Sequence, residues 1–315
     1  IKKENISNQK LANKAIEKGF IELKDKLFLE EDAKKLSQLS LSQIKDLVLY
    51  YQVISEAENN KKDEKIIYNI FFDKEKLHEL FFKEGIFYSE IIKKELYLLP
   101  ILKIKNDIYL YNNNFFYENW SAVSESELIE FILPVENIEI VRVVNSKKDN
   151  LLELSLDNLF KEYPEENLSY ILINLTGFGQ EKIFIKTKIL GKEINKSLTV
   201  KRNNLTDKDF YNRIIQNVKS ELTNIIKSQN LIDVRAPSFI NTKLIINKDD
   251  NLVELNRRLK QIDLVDNIYV QELNNEYILL KIKYLGKLNK IIKQLENQKI
   301  ILKFQNDQWN LSMKK

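Results

Sequence analysis

The chain has 315 residues, enough for two domains with room for a third. Hydrophobic side chains make up 43% and charged ones 30%, a globular balance with a real core, and 6 Gly and 4 Pro exclude collagen-like and Pro-rich architectures. The absence of Cys excludes thiol nucleophiles, thiolate zinc sites, iron–sulfur clusters and disulfides, and a single His, His78, excludes a two-His metal site within one chain.

Leu11, Ala12, Ala15, Ile16, Gly19 and Phe20, continued by Leu23 and Leu27, recur at helical spacing and predict a first helix with a core stripe. Small residues at 12, 15 and 19 let a neighbouring element approach closely. Short helices over 30–36 and 41–49 come next. Glu30-Glu31-Asp32 suits the positive end of a helix dipole, and no acid pair in the chain stands out for catalysis. Residues 50–57 and 65–72 flank the polar turn 58–64 and predict a β-hairpin. A helix over 73–84 follows, capped by Asp73 and stopped by Gly85. His78 falls inside it, the place of a surface or boundary histidine rather than of a triad member.

Residues 96–103 and 108–112 predict a second hairpin, and 96–102 and 129–135, the longest apolar runs, fall far short of a membrane span. Phe115, Phe116, Tyr117 and Trp120 then crowd a short stretch. Such clusters bind carbohydrate or single-stranded nucleic acid in some proteins, but plugging a core is the weightier reading; the four are the candidate interaction surface. A strand is expected over 139–144, a helix over 151–163, and a strand meander over 169–176, 182–190 and 194–201. Thr176-Gly177-Phe178-Gly179 is the nearest approach to a phosphate loop, lacks the Lys-Ser/Thr that such a loop needs, and reads as a turn. Thr206-x-x-Asp209 opens a strong helix with Phe210, Ile214, Ile215, Val218, Leu222, Ile225 and Ile226 on one face.

Val234-Arg235-Ala236-Pro237 is the best linker signal. Beyond it, strand 242–247, helix 250–261, strands 267–273 and 277–284, helix 287–298 and strand 300–305 follow the β-α-β-β-α-β order of the ferredoxin-like split motif, with a last strand over 309–313. The expected fold class is α+β in three units: 1–89, helix-rich with a β-hairpin; 90–236, mixed α/β; and 237–315, ferredoxin-like.

The net charge of +4 is uneven. Residues 237–315 hold 14 basic and 9 acidic side chains against 36 and 37 elsewhere. Only six of the basic residues are Arg, and the strand over 277–284 lacks the basic-Gly-aromatic-small-aromatic pattern of RNA-recognition sheets. Nucleic acid is therefore disfavoured as a partner, although Tyr269, Tyr277 and Tyr284 keep it as the alternative.

Ala12-x-x-Ala15-x-x-x-Gly19-Phe20, the hairpin at 50–57, Phe71-Phe72-Asp73, Gly85 with Tyr88-Ser89, Leu96-Tyr97-Leu98-Leu99-Pro100 and Trp120 together resemble a bacterial envelope family known as domain of unknown function 2066, over about residues 9–135. Tyr111 stands where that pattern commonly has Trp, and Glu136-Asn137 where it has Gly-Asp. The stretch from 96 to 226, through Tyr163 and Ser169-Tyr170-Ile171-Leu172-Ile173, is also similar to the N-terminal α/β domain of the TolB family of periplasmic proteins. Both resemblances imply an exported periplasmic protein with a cleaved leader, and neither supplies a catalytic residue. The start at Ile1 fits a removed leader, and trimming of the chain explains it equally.

The resulting expectation is a non-catalytic periplasmic protein, not an enzyme, that binds an envelope protein partner, with no cofactor, no metal and no transmembrane segment. The alternatives are a nucleic-acid-binding protein using the basic C-terminal unit, and a hydrolase built on carboxylates. Composition leaves the oligomeric state open.

Overall fold

The structure, a computed structural model, describes residues 8–55, 66–90, 94–123, 128–163, 166–177, 179–245 and 252–313. Helices and strands in several sheets make it an α+β protein. It divides into two compact units, one of Ile1–Glu90 with Asn230–Lys315 and one of Ile91–Gln229.

In the first unit, α1 (Asn8–Leu27) buries Leu11, Ala12, Ala15, Ile16 and Phe20, the stripe legible in the sequence. After α2 (Glu30–Leu36), α3 (Leu41–Asp46) starts with a reciprocal cap: the Ser40 hydroxyl accepts the Gln43 N–H, and the Gln43 side chain accepts the Ser40 N–H. β1 (Val48–Ser55) and β2 (Ile66–Phe72) pair antiparallel as a two-stranded sheet, and the turn expected over 58–64 lies outside the described residues. Gly19 of α1 sits against Ile70 of β2, whose Cγ1 would lie 3.1 Å from a Cβ added there. α4 (Lys74–Glu84) is capped by Asp73, whose carboxylate accepts the N–H groups of Glu75 and Lys76. Gly85 ends it at φ 61°, a left-handed conformation that suits glycine. β3 (Phe87–Ser89) follows.

The second unit is built on a sheet of β4 (Lys94–Ile104), β5 (Asp107–Tyr109), β6 (Ile129–Ile132), β7 (Leu168–Leu175), β8 (Gln180–Ile189) and β9 (Lys192–Lys201), in the order β5-β4-β7-β8-β9 with β6 also on β4. β4 and β7 pair in parallel at the centre. Even-numbered β4 residues such as Leu96 and Leu98 face one core with Ile171 and Ile173, and odd-numbered Leu99 and Ile101 face the other with Tyr170 and Leu172. Covering on both faces explains why these strands read as continuous apolar runs. Beside the sheet stand α5 (Phe115–Asn119), α6 (Ile138–Ser146), α7 (Leu156–Leu159) and the long α8 (Asp207–Gln229). Thr206 and Asp209 do form the reciprocal start of α8, which buries the expected face.

Two expectations are corrected here. Residues 139–144 are helical, not a strand: Asn137 caps the N–H of Glu139, and Ile140 and Val144, one turn apart, are the buried pair. The β-branched run Ile-Val-Arg-Val-Val favours strand locally, and packing of the 140/144 edge overrides it. The helix expected over 151–163 is a 3₁₀ turn at Leu151–Glu153 and the short α7, because Leu154 and Ser155 take extended ψ values of 131° between them.

Chain returning to the first unit forms β10 (Leu231–Asp233), which pairs with β3, then β11 (Ser238–Ile245), α9 (Leu252–Lys260), β12 (Val265–Leu273), β13 (Tyr277–Tyr284), α10 (Leu288–Asn297), β14 (Ile300–Gln305) and β15 (Gln308–Met313). The β-α-β-β-α-β order is present, but the sheet runs β12-β13-β11-β15-β14. β15 therefore stands between β11 and β14, parallel to the former and antiparallel to the latter. From sequence, 1–89 and 237–315 are separate units; in the structure the β3–β10 pairing and the side chains of Tyr88 and Val234, packed on the cores of both stretches, join them. A linker-like tetrapeptide carries no signal of that long-range pairing.

Candidate functional site

An open cleft of about 980 Å³ in the first unit is lined by Lys74, His78, Glu79, Lys260, Asp266 and Lys283, with apolar neighbours. The Lys74 Nζ donates to the carbonyls of Asp263 at 2.8 Å and Val265 at 3.0 Å, pinning α4 to the start of β12. Burial holds its pKa below the ordinary lysine value, opposed by Asp263 and Asp266. Lys283 Nζ lies 2.6 Å from Asp266 Oδ2.

His78 Nδ1 is 3.9 Å from Asp266 Oδ1, and its Nε2 is 3.4 Å from the Tyr88 hydroxyl. Burial, reinforced by the Lys74 cation, holds the imidazole below its ordinary pKa, and Asp266 only partly opposes this. Burial pushes the Tyr88 phenol up, so at neutral pH a protonated hydroxyl faces a neutral ring. The groups are thus committed to one another and to backbone carbonyls. Among the described residues, no group of three or more His, Asp or Glu side chains could hold a metal ion. Chemically the cleft is a polar seam that joins α4 to the five-stranded sheet.

The four aromatics proposed from sequence go mostly inward. Phe116 and Trp120 have no exposed surface, and Phe115 and Tyr117 are half-buried. Phe116 and Trp120 therefore cannot serve as an interaction surface, since a partner meets only side chains at the boundary; they plug the core. Two polar side chains hold this stretch in place, and neither was singled out from sequence. Asn114 is fully buried; its Nδ2 donates to the carbonyls of Pro100, Tyr109 and Leu110, and its Oδ1 accepts the N–H groups of Phe116 and Tyr117. Pro100 needs that service, because β4 pairs β6 only up to Tyr97 and β5 only from Leu102. Lys219 of α8 is buried, and its Nζ donates to the carbonyls of Trp120 at 2.9 Å and Val123 at 2.6 Å. In a chain so rich in Lys and Asn, nothing in composition marks these two out.

Of the turn expected over Thr176–Gly179, Phe178 lies outside the described residues. Gly177 and Gly179 have φ values of 79° and 76°, and the buried Glu181 carboxylate accepts the N–H groups of Thr176 and Gly177. A carboxylate occupying those donors leaves no cradle for phosphate.

The hairpin β1–β2 is the most unusual surface. Its strands, Val-Leu-Tyr-Tyr-Gln-Val-Ile-Ser and Ile-Ile-Tyr-Asn-Ile-Phe-Phe, hold no charged residue in a chain that is 30% charged. Register places Tyr50 against Phe71 and Ile54 against Ile67 on one face, with Val53 on the other. These side chains are exposed by 47%, 38%, 43%, 40% and 56% respectively. The Tyr50 and Phe71 rings stack with centroids 4.4 Å apart. Among the described residues, β1 and β2 pair only with each other, so both are edge strands.

No protein-family model matches the chain, and no curated protein matches it. A solved structure described as that of an uncharacterized protein is similar to it at 9% identity and a TM-score of 0.19, over 45% of this chain and 95% of that one.

Proposed function

We propose that the chain is a non-catalytic binding protein that docks a protein partner through the hairpin β1–β2, and that, as its family resemblance implies, it does so in the bacterial envelope. The observation that carries this reading is the pair of charge-free strands with exposed apolar side chains on both faces. Edge strands that stay in water are ordinarily blunted with Lys, Pro or charge, and these strands have none. An isolated two-stranded hairpin is also marginal in water, so a covering surface stabilises it. Open edges suit strand addition, and the side chains of Tyr50, Ile54, Ile67 and Phe71 suit an apolar pocket. The intervening sequence 58–64 contains Glu58, Lys61, Lys62, Asp63 and Glu64, which favours a protein surface over lipid as the covering phase.

The test is a photo-crosslinking amino acid placed at Ile54 in native cells, with fractionation of the adduct. One discrete protein adduct in the periplasmic fraction is expected, lost when Tyr50→Lys and Ile67→Lys are added. A crosslinking pattern no different from that of a probe at exposed Lys182 would overturn the reading.

A further inference from the structure

We propose that the open face of the five-stranded sheet binds single-stranded nucleic acid, with lysines on the phosphates and exposed rings against the bases. α9 and α10 cover one face of this sheet through Ile240, Leu244, Leu280 and Ile282, and the alternate residues form the other face. Strands β11, β13, β14 and β15 hold no acidic residue at all, yet carry Lys243, Lys281, Lys283 and Lys303, and the three that lie on β11 and β13 share the open face. Register continues the pattern: Lys243 neighbours Asn310, and Asn310 neighbours Lys303. Lys281, Lys243 and Lys303 thus form a path across β13, β11, β15 and β14, roughly 14 Å long at about 4.8 Å per strand. Lys283 is neutralised by Asp266, whereas none of the other three has an ion pair among the described residues.

Aromatic rings lie beside that path. Lys281 Nζ is 4.5 Å from the centroid of Phe239, and Lys243 Nζ is 4.2 Å from that of Tyr277. Phe239 is 50% exposed, and Tyr269, directly across from Lys281, is 44% exposed. An acidic protein segment would use the lysines and leave the rings idle. A single strand uses both, since every base has a flat face to stack and every nucleotide a phosphate. The amide of Asn241, beside Lys281 and Lys243, supplies a donor and an acceptor for base edges, while the Asn310 Nδ2 donates to the Gln305 and Gln308 carbonyls. This arrangement does not follow the RNA-recognition motif absent from β13; it depends on residues from five strands, which is why composition alone argued against it.

The test is fluorescence anisotropy of the full chain with labelled 20-nucleotide oligo(dT) and oligo(U), in 50 and 200 mM NaCl. Three lysine–phosphate contacts predict a log–log salt slope of about −2, hence roughly twentyfold weaker binding at the higher salt. The pair Lys243→Glu and Lys281→Glu is expected to reduce affinity by roughly tenfold or more. Tyr269→Ala should reduce it by about fivefold at either salt, the signature of a stacked base. All of these side chains sit on the open face, so the variants should melt with the parent; if the Glu pair does not, Lys243→Gln with Lys281→Gln repeats the measurement. Absence of binding at 50 mM salt, unchanged affinity in the lysine pair, or unchanged affinity in Tyr269→Ala would each overturn the proposal. Mole-for-mole competition by poly-glutamate would assign the face to an acidic protein instead and overturn it as well.

Discussion

Strand β7 and the hairpin β1–β2 present the same sequence signal and opposite surroundings. Leu-Ser-Tyr-Ile-Leu-Ile-Asn-Leu of β7 is charge-free and buried over its first six residues. The strands of the hairpin are charge-free too, yet Tyr50, Tyr51, Val53 and Ile54 are exposed. In β7 the covering comes from the chain itself: Ile171 and Ile173 pack with Ile214 and Val218 of α8, and Tyr170 and Leu172 with Ile140 and Leu156 of α6 and α7. In the hairpin, α1 reaches Ile70 and Phe72 of β2 and leaves Tyr50, Tyr51, Val53 and Ile54 exposed. The lesson is that loss of charge along a strand marks a surface meant to be covered, and only the structure tells whether the chain supplies the cover.

The sharpest way to break this comparison is to truncate both kinds of strand. Ile171→Ala in β7 should cost about 2–5 kcal/mol in chemical denaturation, because the fully buried side chain leaves a cavity behind. A loss below about 1 kcal/mol would mean that β7 is not covered as described. Asn114→Leu should cost about 1–3 kcal/mol, since it strands the Pro100 and Leu110 carbonyls and the Phe116 N–H inside the core. Ile67→Ala in the hairpin, by contrast, should change stability by no more than about 0.5 kcal/mol while lowering the yield of the adduct formed from position 54. A large stability loss there would show that the hairpin is covered within the chain.

The smallest expected effect concerns pH. The His78 pKa is held below its ordinary value of 6.5 in the folded chain, so as pH falls the unfolded chain takes up the proton first. Stability contributed by the neutral ring is therefore full above about 6.5 and declines below it. The melting temperature should fall between pH 7.5 and 5.5, and His78→Phe should reduce that fall. An unchanged slope in the variant would remove His78 from the seam formed with Tyr88, Asp266 and Lys74.

Much of the fold was legible because it rests on local periodicity. The α1 stripe, the α8 stripe with its Thr206 cap, the Asp73 and Gly85 ends of α4 and the β-α-β-β-α-β order all come from spacing that neighbouring residues enforce. The errors came where local preference and packing disagree, as at 139–144, where β-branched residues sit in a helix. Of the candidate site, Phe116 and Trp120 were read from aromatic content, which does not distinguish a buried plug from an open platform. The hairpin's missing charge was in the sequence but could not be weighed without exposure.

The sequence by itself determined the α+β class, the element types at strongly periodic stretches and the excluded thiol and two-His chemistries, because each depends on residue identity or on neighbours within a turn or two of chain. Tertiary structure alone decided that 1–90 and 230–315 share a unit, that β15 separates β11 from β14, and that three lysines from different strands line up beside exposed rings. These depend on strand pairing between residues far apart in the chain, and pairing register is a property of the whole packed core rather than of any segment within it.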